Sequence, residues 1–249
     1  MVQRWNLTAK EWSNVLQGEV EPEALANQLI KDHYLPWAKV LTQFAADCSD
    51  TLDLGSGRGE NSAVLALQRK RTTLLDWSKE NLDFSARLFN AIDISGRFCQ
   101  ADMTKGLPFK AKSFDMVFSC GVLEFFSADD IRLLLDEATR VSRKRVIIMV
   151  PNALSLAYRI GKRYMEKTGK WPWGGEVPFC TLRHYFPGRD KVRISEFSVA
   201  AKHSLTFLRM PGGHIVARLL TRLLKLNDDG RPALLRQGYL LVTVVEAER

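Results

Sequence analysis

Three carboxylates stand at the ends of three short apolar runs. Asp53 lies in Thr51-Leu52-Asp53-Leu54, Asp76 closes Thr72-Thr73-Leu74-Leu75, and Asp102 follows Gly96-Arg97-Phe98-Cys99-Gln100-Ala101. Between the first two lies a turn with a glycine at every second position, Gly55-Ser56-Gly57-Arg58-Gly59. Glycine lets a chain turn sharply and lets a ligand approach with no Cβ in the way. An acid just before such a turn repels a pyrophosphate but suits a ligand that carries an α-amino group. An acid at the tip of the next strand suits the hydroxyls of a ribose. A dinucleotide fingerprint would put its third glycine three residues after the second. Here that place is Glu60.

The elements that must hold these residues read as alternating strands and helices. Thr51–Leu54 opens as a strand, and the glycine turn leads through the cap candidates Asn61 and Ser62 into a helix over Ala63–Gln68. A strand, a glycine-rich turn and a helix aim backbone N–H groups and a helix N-terminus at a ligand. Thr72–Asp76 is a second strand, followed by a helix capped by Ser78. Gly96–Met103 reads as a third. Met116–Cys120 is a buried fourth strand. Ser127 caps a helix with Ile131, Leu134, Leu135, Ala138 and Val141 on one face, ended by Arg143-Lys144-Arg145. Val146–Val150 is the fifth strand. Strands alternating with helices over residues 50–150 imply right-handed parallel crossovers.

With these motifs in this order, the chain resembles the class I S-adenosylmethionine (SAM) methyltransferases of the small-molecule type. The likeness rests on Asp53-x-Gly55-x-Gly57-x-Gly59, on the strand-tip acids Asp76 and Asp102, and on Pro108-Phe109 with Ser113-Phe114-Asp115 before the fourth strand and Gly121-Val122-Leu123-Glu124 after it. It covers residues 50–150 and fades beyond them. It implies an α/β fold: a Rossmann-like, doubly wound, mostly parallel sheet of seven strands with an antiparallel last strand and helices on both faces. It implies SAM as cofactor. Gly55, Ser56, Gly57 and Gly59 would pass the backbone close to it. Asp53 would lie near its amino-acid part, Asp76 near ribose, Trp77 against the adenine face, and Asp102 and Met103 near the adenine edge. Ser119 and Cys120 would approach the methionine part. No metal is implied.

At 249 residues, with 46% apolar and 26% charged residues, the chain can bury one full core. We expect a single methyltransferase domain over 1–249, with 1–45 a helical cap, 46–150 the SAM-binding half and 151–249 a basic, substrate-side half. The helical face of the first part is expected to carry Trp12, Val15, Leu16, Leu25, Leu29 and Ile30. Four scattered cysteines lack metal-ligand spacing, and Met1–Asn6 has no apolar leader, so a cytoplasmic location is the expectation. Charge is uneven. Residues 1–150 hold 19 Lys+Arg against 20 Asp+Glu, and residues 151–249 hold 17 against 8. The basic excess therefore points to an anionic partner or surface on the C-terminal side.

That side is less regular. Ala153–Lys167 reads as an amphipathic helix with Ala157, Ile160, Tyr164 and Met165 on one face and Arg159, Lys162, Arg163 and Lys167 on the other. An aromatic loop with Trp171 and Trp173 follows, then a segment with Arg183, His184 and Tyr185. His203–Met210 is predicted as a sixth strand and Tyr239–Glu246 as the last. Between them, Val216, Leu219, Leu220 and Leu223 face away from Arg218, Arg222 and Lys225. Both basic stretches should border the mouth of the site, with peripheral contact to an anionic membrane as a further expectation.

The expected reaction is methyl transfer to a small-molecule, sugar or lipid-linked acceptor at oxygen. Such an acceptor needs proton removal, for which His184, Tyr185, His33 and Glu124 are candidates. Ser119-Cys120-Gly121-Val122 stands where amino-methylating nucleic-acid enzymes carry an Asn/Asp-Pro-Pro-aromatic run, which argues against a nucleic-acid acceptor. The alternatives are an RNA methyltransferase that binds by charge and stacking, a non-catalytic SAM-binding subunit, and a nucleotide-dependent oxidoreductase, which the Glu60 spacing disfavours.

Overall fold

The computed structural model describes residues 21–31, 35–186, 192–226 and 228–247. His33, Trp12, Val15 and Leu16 lie outside them. A seven-stranded sheet runs through the molecule in the order β3-β2-β1-β4-β5-β7-β6. Its strands are β1 (Asp50–Leu54), β2 (Arg71–Asp76), β3 (Arg97–Gln100), β4 (Phe114–Cys120), β5 (Ser142–Pro151), β6 (Val192–Val199) and β7 (Leu240–Ala247). The first five pair in parallel; β7 runs antiparallel between β5 and β6. The strand order reverses between β1 and β4, so the carboxyl ends of those strands open a crevice.

Helices cover both faces: α1 (Pro22–Ile30), α2 (Pro36–Phe44), α3 (Glu60–Leu67), α4 (Lys79–Ala91), α5 (Ala128–Val141), α6 (Leu156–Lys167), α7 (Ala201–Ser204) and α8 (Gly213–Leu223). The two-residue strand period sorts the core. Val146, Ile148 and Val150 face α5 with Leu52, Leu54 and Val117, whereas Ile147 and Met149 face α2 with Met116 and Phe118. A third cluster joins α1, α3 and α4 over Leu74. Ser78 and Ser127 cap α4 and α5 as expected, accepting from Asn81 N and Asp130 N.

Several elements differ from the sequence expectation. The helix after the glycine turn begins at Glu60, with Gly59 as its left-handed N-cap (φ 77°), so neither Asn61 nor Ser62 caps it. The third strand stops at Gln100, where its pairing with β2 ends at Asp76. Arg143-Lys144-Arg145 belongs to β5, not to a helix end. Ionic partners draw this triplet into the sheet: Arg143 reaches Asp115 and Asp50, and Arg145 reaches Asp47 and Glu246.

The sixth strand is 192–199, and the predicted strand 203–210 does not form. Glu196 hides the β pattern because it points inward. Thr181, Thr243 and the Leu182 N–H all donate to its carboxylate. Ala200 then turns left-handed (φ 65°), and Asp228 accepts from the N–H groups of Lys202 and His203 at the start of α7.

The buried face of α6 is also rotated from the expected one. Tyr158, Gly161, Lys162 and Met165 face inward, and Ile160 faces out. Gly161 sets this packing, since a Cβ there would stand 2.1 Å from the Phe207 carbonyl oxygen.

Candidate active site

The carboxyl ends of β1, β2 and β4 surround a cleft of about 410 Å³. One end is backbone. Gly55 N and Ser56 N donate to Leu75 O (2.8 and 3.1 Å), and Gly57 N donates to Asp76 Oδ2 (2.8 Å), so the turn is tied to the tip of β2. Gly55 has φ 71°, and a Cβ on it would meet Val122 Cγ2 at 2.7 Å. Only glycine keeps that wall in place. Asp76 is buried, and its other oxygen accepts from Ser78 N at 2.9 Å and from Asn81 Nδ2 at 3.4 Å. Burial raises its carboxyl pKa, against the opposing pull of these donors. Ser56, Trp77, Asn81 and Met103 complete this end.

Two buried polar atoms on these walls lack a hydrogen-bond partner among the described residues, Ser56 Oγ and Asn81 Oδ1. Buried polar groups are normally satisfied, so these two, on residues that line the cleft, are available to a ligand. A backbone cradle, a carboxylate with an unused lone pair and an indole at Trp77 fit an adenosyl group with its amino-acid tail.

The opposite end is built from side chains. Trp37, Trp173, Phe207 and Tyr239 wall it, with Glu124, Glu176 and His203 among them. Glu124 is 3% exposed, and its Oε2 has no hydrogen-bond partner among the described residues. Burial, then the nearby Glu176, pushes its carboxyl well above the usual carboxylate range. Glu176 is also raised by burial, moderated by the Tyr158 hydroxyl, which donates to Oε1, and by Lys162 Nζ at 3.7 Å. Burial lowers the His203 pKa, which favours the neutral imidazole. Its ring meets Trp37 edge-on and Tyr239 at a tilt, each at 5.3 Å.

The expected site residues divide. Gly55, Ser56, Gly57, Asp76, Trp77, Met103 and Cys120 line the cleft, as does Glu124. Asp53, Gly59, Asp102 and Ser119 do not. Asp53 is fully enclosed beneath the turn, where Ser62 Oγ donates to it at 2.9 Å; burial pushes its pKa up to about 7. Gly59 packs on Ser85 and Leu74, which a Cβ would meet at 2.7 and 2.8 Å. Ser119 Oγ donates to Leu54 O, fastening β4 to β1. Asp102 caps the 3-10 turn Met103–Lys105 by accepting from Thr104 N and Oγ1.

The thiol of Cys120 is pushed well up by burial and then by the Glu124 charge, which leaves it unsuited to nucleophilic attack. His184 and Tyr185 are the plain correction among the proposed bases. Their rings meet at a tilt, 4.2 Å apart, with Phe179 and Arg132 beside Tyr185, and neither lines the cleft. The 3-10 turn Arg183–Tyr185 packs on the α5 side of the sheet, which carries them there. Asn81, Glu176, His203, Trp37 and Tyr239 also line the cleft, and none of them is among the site residues expected from the sequence. One signal was available for Glu176: a lone acid closing the aromatic loop Trp171-Pro172-Trp173-Gly174-Gly175.

Comparison with known proteins agrees with this geometry. Residues 52–150, about two fifths of the chain, match the family model described as a methyltransferase domain. No curated protein sequence matches the chain. Among solved structures, a Thermotoga maritima SAM-dependent methyltransferase is 11% identical with a TM-score of 0.60, over 97% of this chain and 100% of the other. The magnesium protoporphyrin IX methyltransferase of Synechocystis, with S-adenosylhomocysteine bound, is 13% identical with a TM-score of 0.57, over 96% and 93%. The plantazolicin methyltransferase, also bound to S-adenosylhomocysteine, is 15% identical with a TM-score of 0.56, over 97% and 99%. At such identities the structures speak for the fold, and the family match speaks for the domain within it. Residues 52–150 therefore form a methyltransferase domain with SAM as its cofactor, and the chain around it has the fold of the SAM-dependent methyltransferases to which it is similar.

Proposed function

We propose that this enzyme methylates an oxygen of a small-molecule, sugar or lipid-linked acceptor, seated at the Glu124 end of the cleft. The carrying observation is the Glu124 carboxylate, enclosed in the cleft wall with one oxygen unpartnered among the described residues. A hydroxyl placed there donates to Oε2. A carboxyl whose pKa burial has raised is a stronger base once ionised, and it takes the hydroxyl proton as the new O–C bond forms. SAM, when bound, supplies a methyl group made electrophilic by its sulfonium. The chain's own task is then to position the acceptor and exclude water. The aromatic walls of Trp37, Trp173, Phe207 and Tyr239 offer flat apolar faces to a sugar or ring. His203, neutral and beside them, can accept or donate a second hydrogen bond.

Gly55, Ser56, Gly57, Asp76, Trp77 and Met103 would hold the cofactor. Asp53 would serve from beneath, by fixing the first turn of α3 through Ser62. A second reading, transfer to an amine, is favoured by the pairing of two acids, Glu124 and Glu176, which would hold a cation before its deprotonation. The solved relatives do not choose between them. They include a possible histamine N-methyltransferase, a magnesium protoporphyrin IX methyltransferase and a plantazolicin methyltransferase.

The test is turnover of methyl-labelled SAM against hydroxylated acceptors, sugars and lipid-linked saccharides among them. Glu124→Gln should cut kcat by about 10²–10⁴-fold for a hydroxyl acceptor, the usual weight of a positioned base. For an amine acceptor, the loss should fall mainly on KM. Full activity in Glu124→Gln would remove Glu124 from either role.

A further inference from the structure

The last helix before β7 is amphipathic, yet the molecule does not use its apolar face. Along α8, Ile215, Leu219 and Leu223 are each more than half exposed, and Val216 nearly so. Ala217, Leu220 and Thr221 are the partly buried side, and Gly213 is fixed against Leu208, whose carbonyl oxygen a Cβ would meet at 2.1 Å. At 100° per residue, the exposed apolar stripe lies directly beside a second exposed stripe, His214, Arg218 and Arg222, and exposed Lys225 follows just past the helix end. No acidic residue occurs between 213 and 225.

The same pairing recurs on α6, where exposed Leu156 and Ile160 run beside exposed Arg159, Arg163 and Lys167. Gln237 ties the start of α6 to another apolar point. Its Oε1 accepts from Leu156 N and its Nε2 donates to Leu154 O, and it stands next to Leu234 and Leu235, which are 76% and 80% exposed. All of these segments lie in connections that leave or re-enter the sheet at its carboxyl edge, where Phe207 and Tyr239 line the cleft.

A single exposed leucine means little, but a set of this extent on one edge of a sheet marks an interaction surface. Apolar and basic stripes lying side by side on one helix suit the boundary of an anionic bilayer, with apolar groups among the acyl chains and cations at the phosphates. We propose that α8, with the outer face of α6 and the Leu234–Leu235 turn, seats the enzyme on an anionic lipid surface with the cleft mouth turned toward it. A protein partner would account for the apolar stripe alone, and a nucleic acid for the cations alone. The bilayer accounts for both.

The experiment is co-sedimentation of the full chain with phosphatidylcholine vesicles, with and without phosphatidylglycerol. The wild type should sediment only with the anionic vesicles. Leu219→Glu with Leu223→Glu, and separately Arg218→Glu with Arg222→Glu, should each cut partitioning at least about tenfold, and added salt should weaken the wild type. These residues do not line the cleft, so unchanged affinity for S-adenosylhomocysteine shows that each variant is folded. Failure to sediment with anionic vesicles would overturn the proposal, as would sedimentation that ignores both pairs of substitutions. So would a dimer in light scattering that dissociates on Leu219→Glu with Leu223→Glu while no vesicle binding is seen, or oligonucleotide binding that only the arginine changes remove.

Discussion

The two ends of the cleft are built by different means. The cofactor end is made of backbone: a glycine turn hydrogen-bonded to the tip of β2, with one carboxylate, Asp76, set into it. The Glu124 end, where we propose the acceptor sits, is made of side chains from α2, the turn after β4, the 170s loop, α7 with the turn after it, and the start of β7, which meet only in the folded molecule. A ligand common to a family can be met by fixed N–H groups and a crossover geometry that many sequences build. A particular acceptor needs side chains, and loops supply them without disturbing the sheet. The family match, residues 52–150, holds the whole glycine-turn end, whereas of the other end it holds Glu124 but not Trp37, Trp173, Glu176, His203, Phe207 or Tyr239.

The comparison breaks most readily at Gly55. Gly55→Val puts a β-branched residue at φ 71° and drives a Cβ into Val122. Backbone strain of about 1–3 kcal/mol is relieved only by moving the turn out of its cradle, so affinity for S-adenosylhomocysteine should fall by about 5- to 150-fold, read by calorimetry. Trp173→Ala at the other end should leave that affinity within about twofold. Equal losses in the two variants would mean that the ends are not separate.

The opposite edge of the sheet offers a control remote from both ends. Burial works to raise Asp115, but the Ser49 and Asp50 N–H groups and Arg143 outweigh it and hold its pKa at about 2. Its pKa is depressed, so its contribution is complete above the unfolded value near 3.8 and is lost as pH falls toward 2. Asp115→Ala should cost about 1–3 kcal/mol in urea denaturation at pH 7, with ligand affinity unchanged.

Asp53 should show a pH effect of the opposite sign. Its folded pKa, about 7, lies above its unfolded value of 3.8, so the folded state holds the extra proton between them. Stability is therefore withdrawn as pH rises from about 4 to about 7. Asp53→Asn, which can still accept from Ser62, should flatten that part of the curve. Parallel wild-type and variant curves would contradict the enclosed, protonated carboxyl.

The cofactor half was legible because its signals are local. A glycine turn, two serine caps and alternating apolar runs each fix a neighbourhood of a few residues, and their order fixes the sheet. What escaped was the partner of each buried polar group. Glu196 reads as a loop residue until Thr181 and Thr243 are seen to donate to it. Lys162 reads as a surface cation until Glu176 and the Trp171 ring, 4.2 Å away, receive it. For the same reason Asp53 and Asp102 have the right residue type and strand-tip position, yet Ser62 and Thr104 occupy their carboxylates away from the cleft lining. His184 looks like a base by type alone, and long-range packing takes it to another face of the sheet.

One calorimetric series with S-adenosylhomocysteine tests the division of the cleft most directly. The wild type should bind. Asp76→Ala should bind about 1–3 kcal/mol more weakly, having lost a buried carboxylate that also anchors Gly57. Glu176→Gln should bind as the wild type does. Undiminished binding by Asp76→Ala, or a loss in Glu176→Gln as large as in Asp76→Ala, would contradict it.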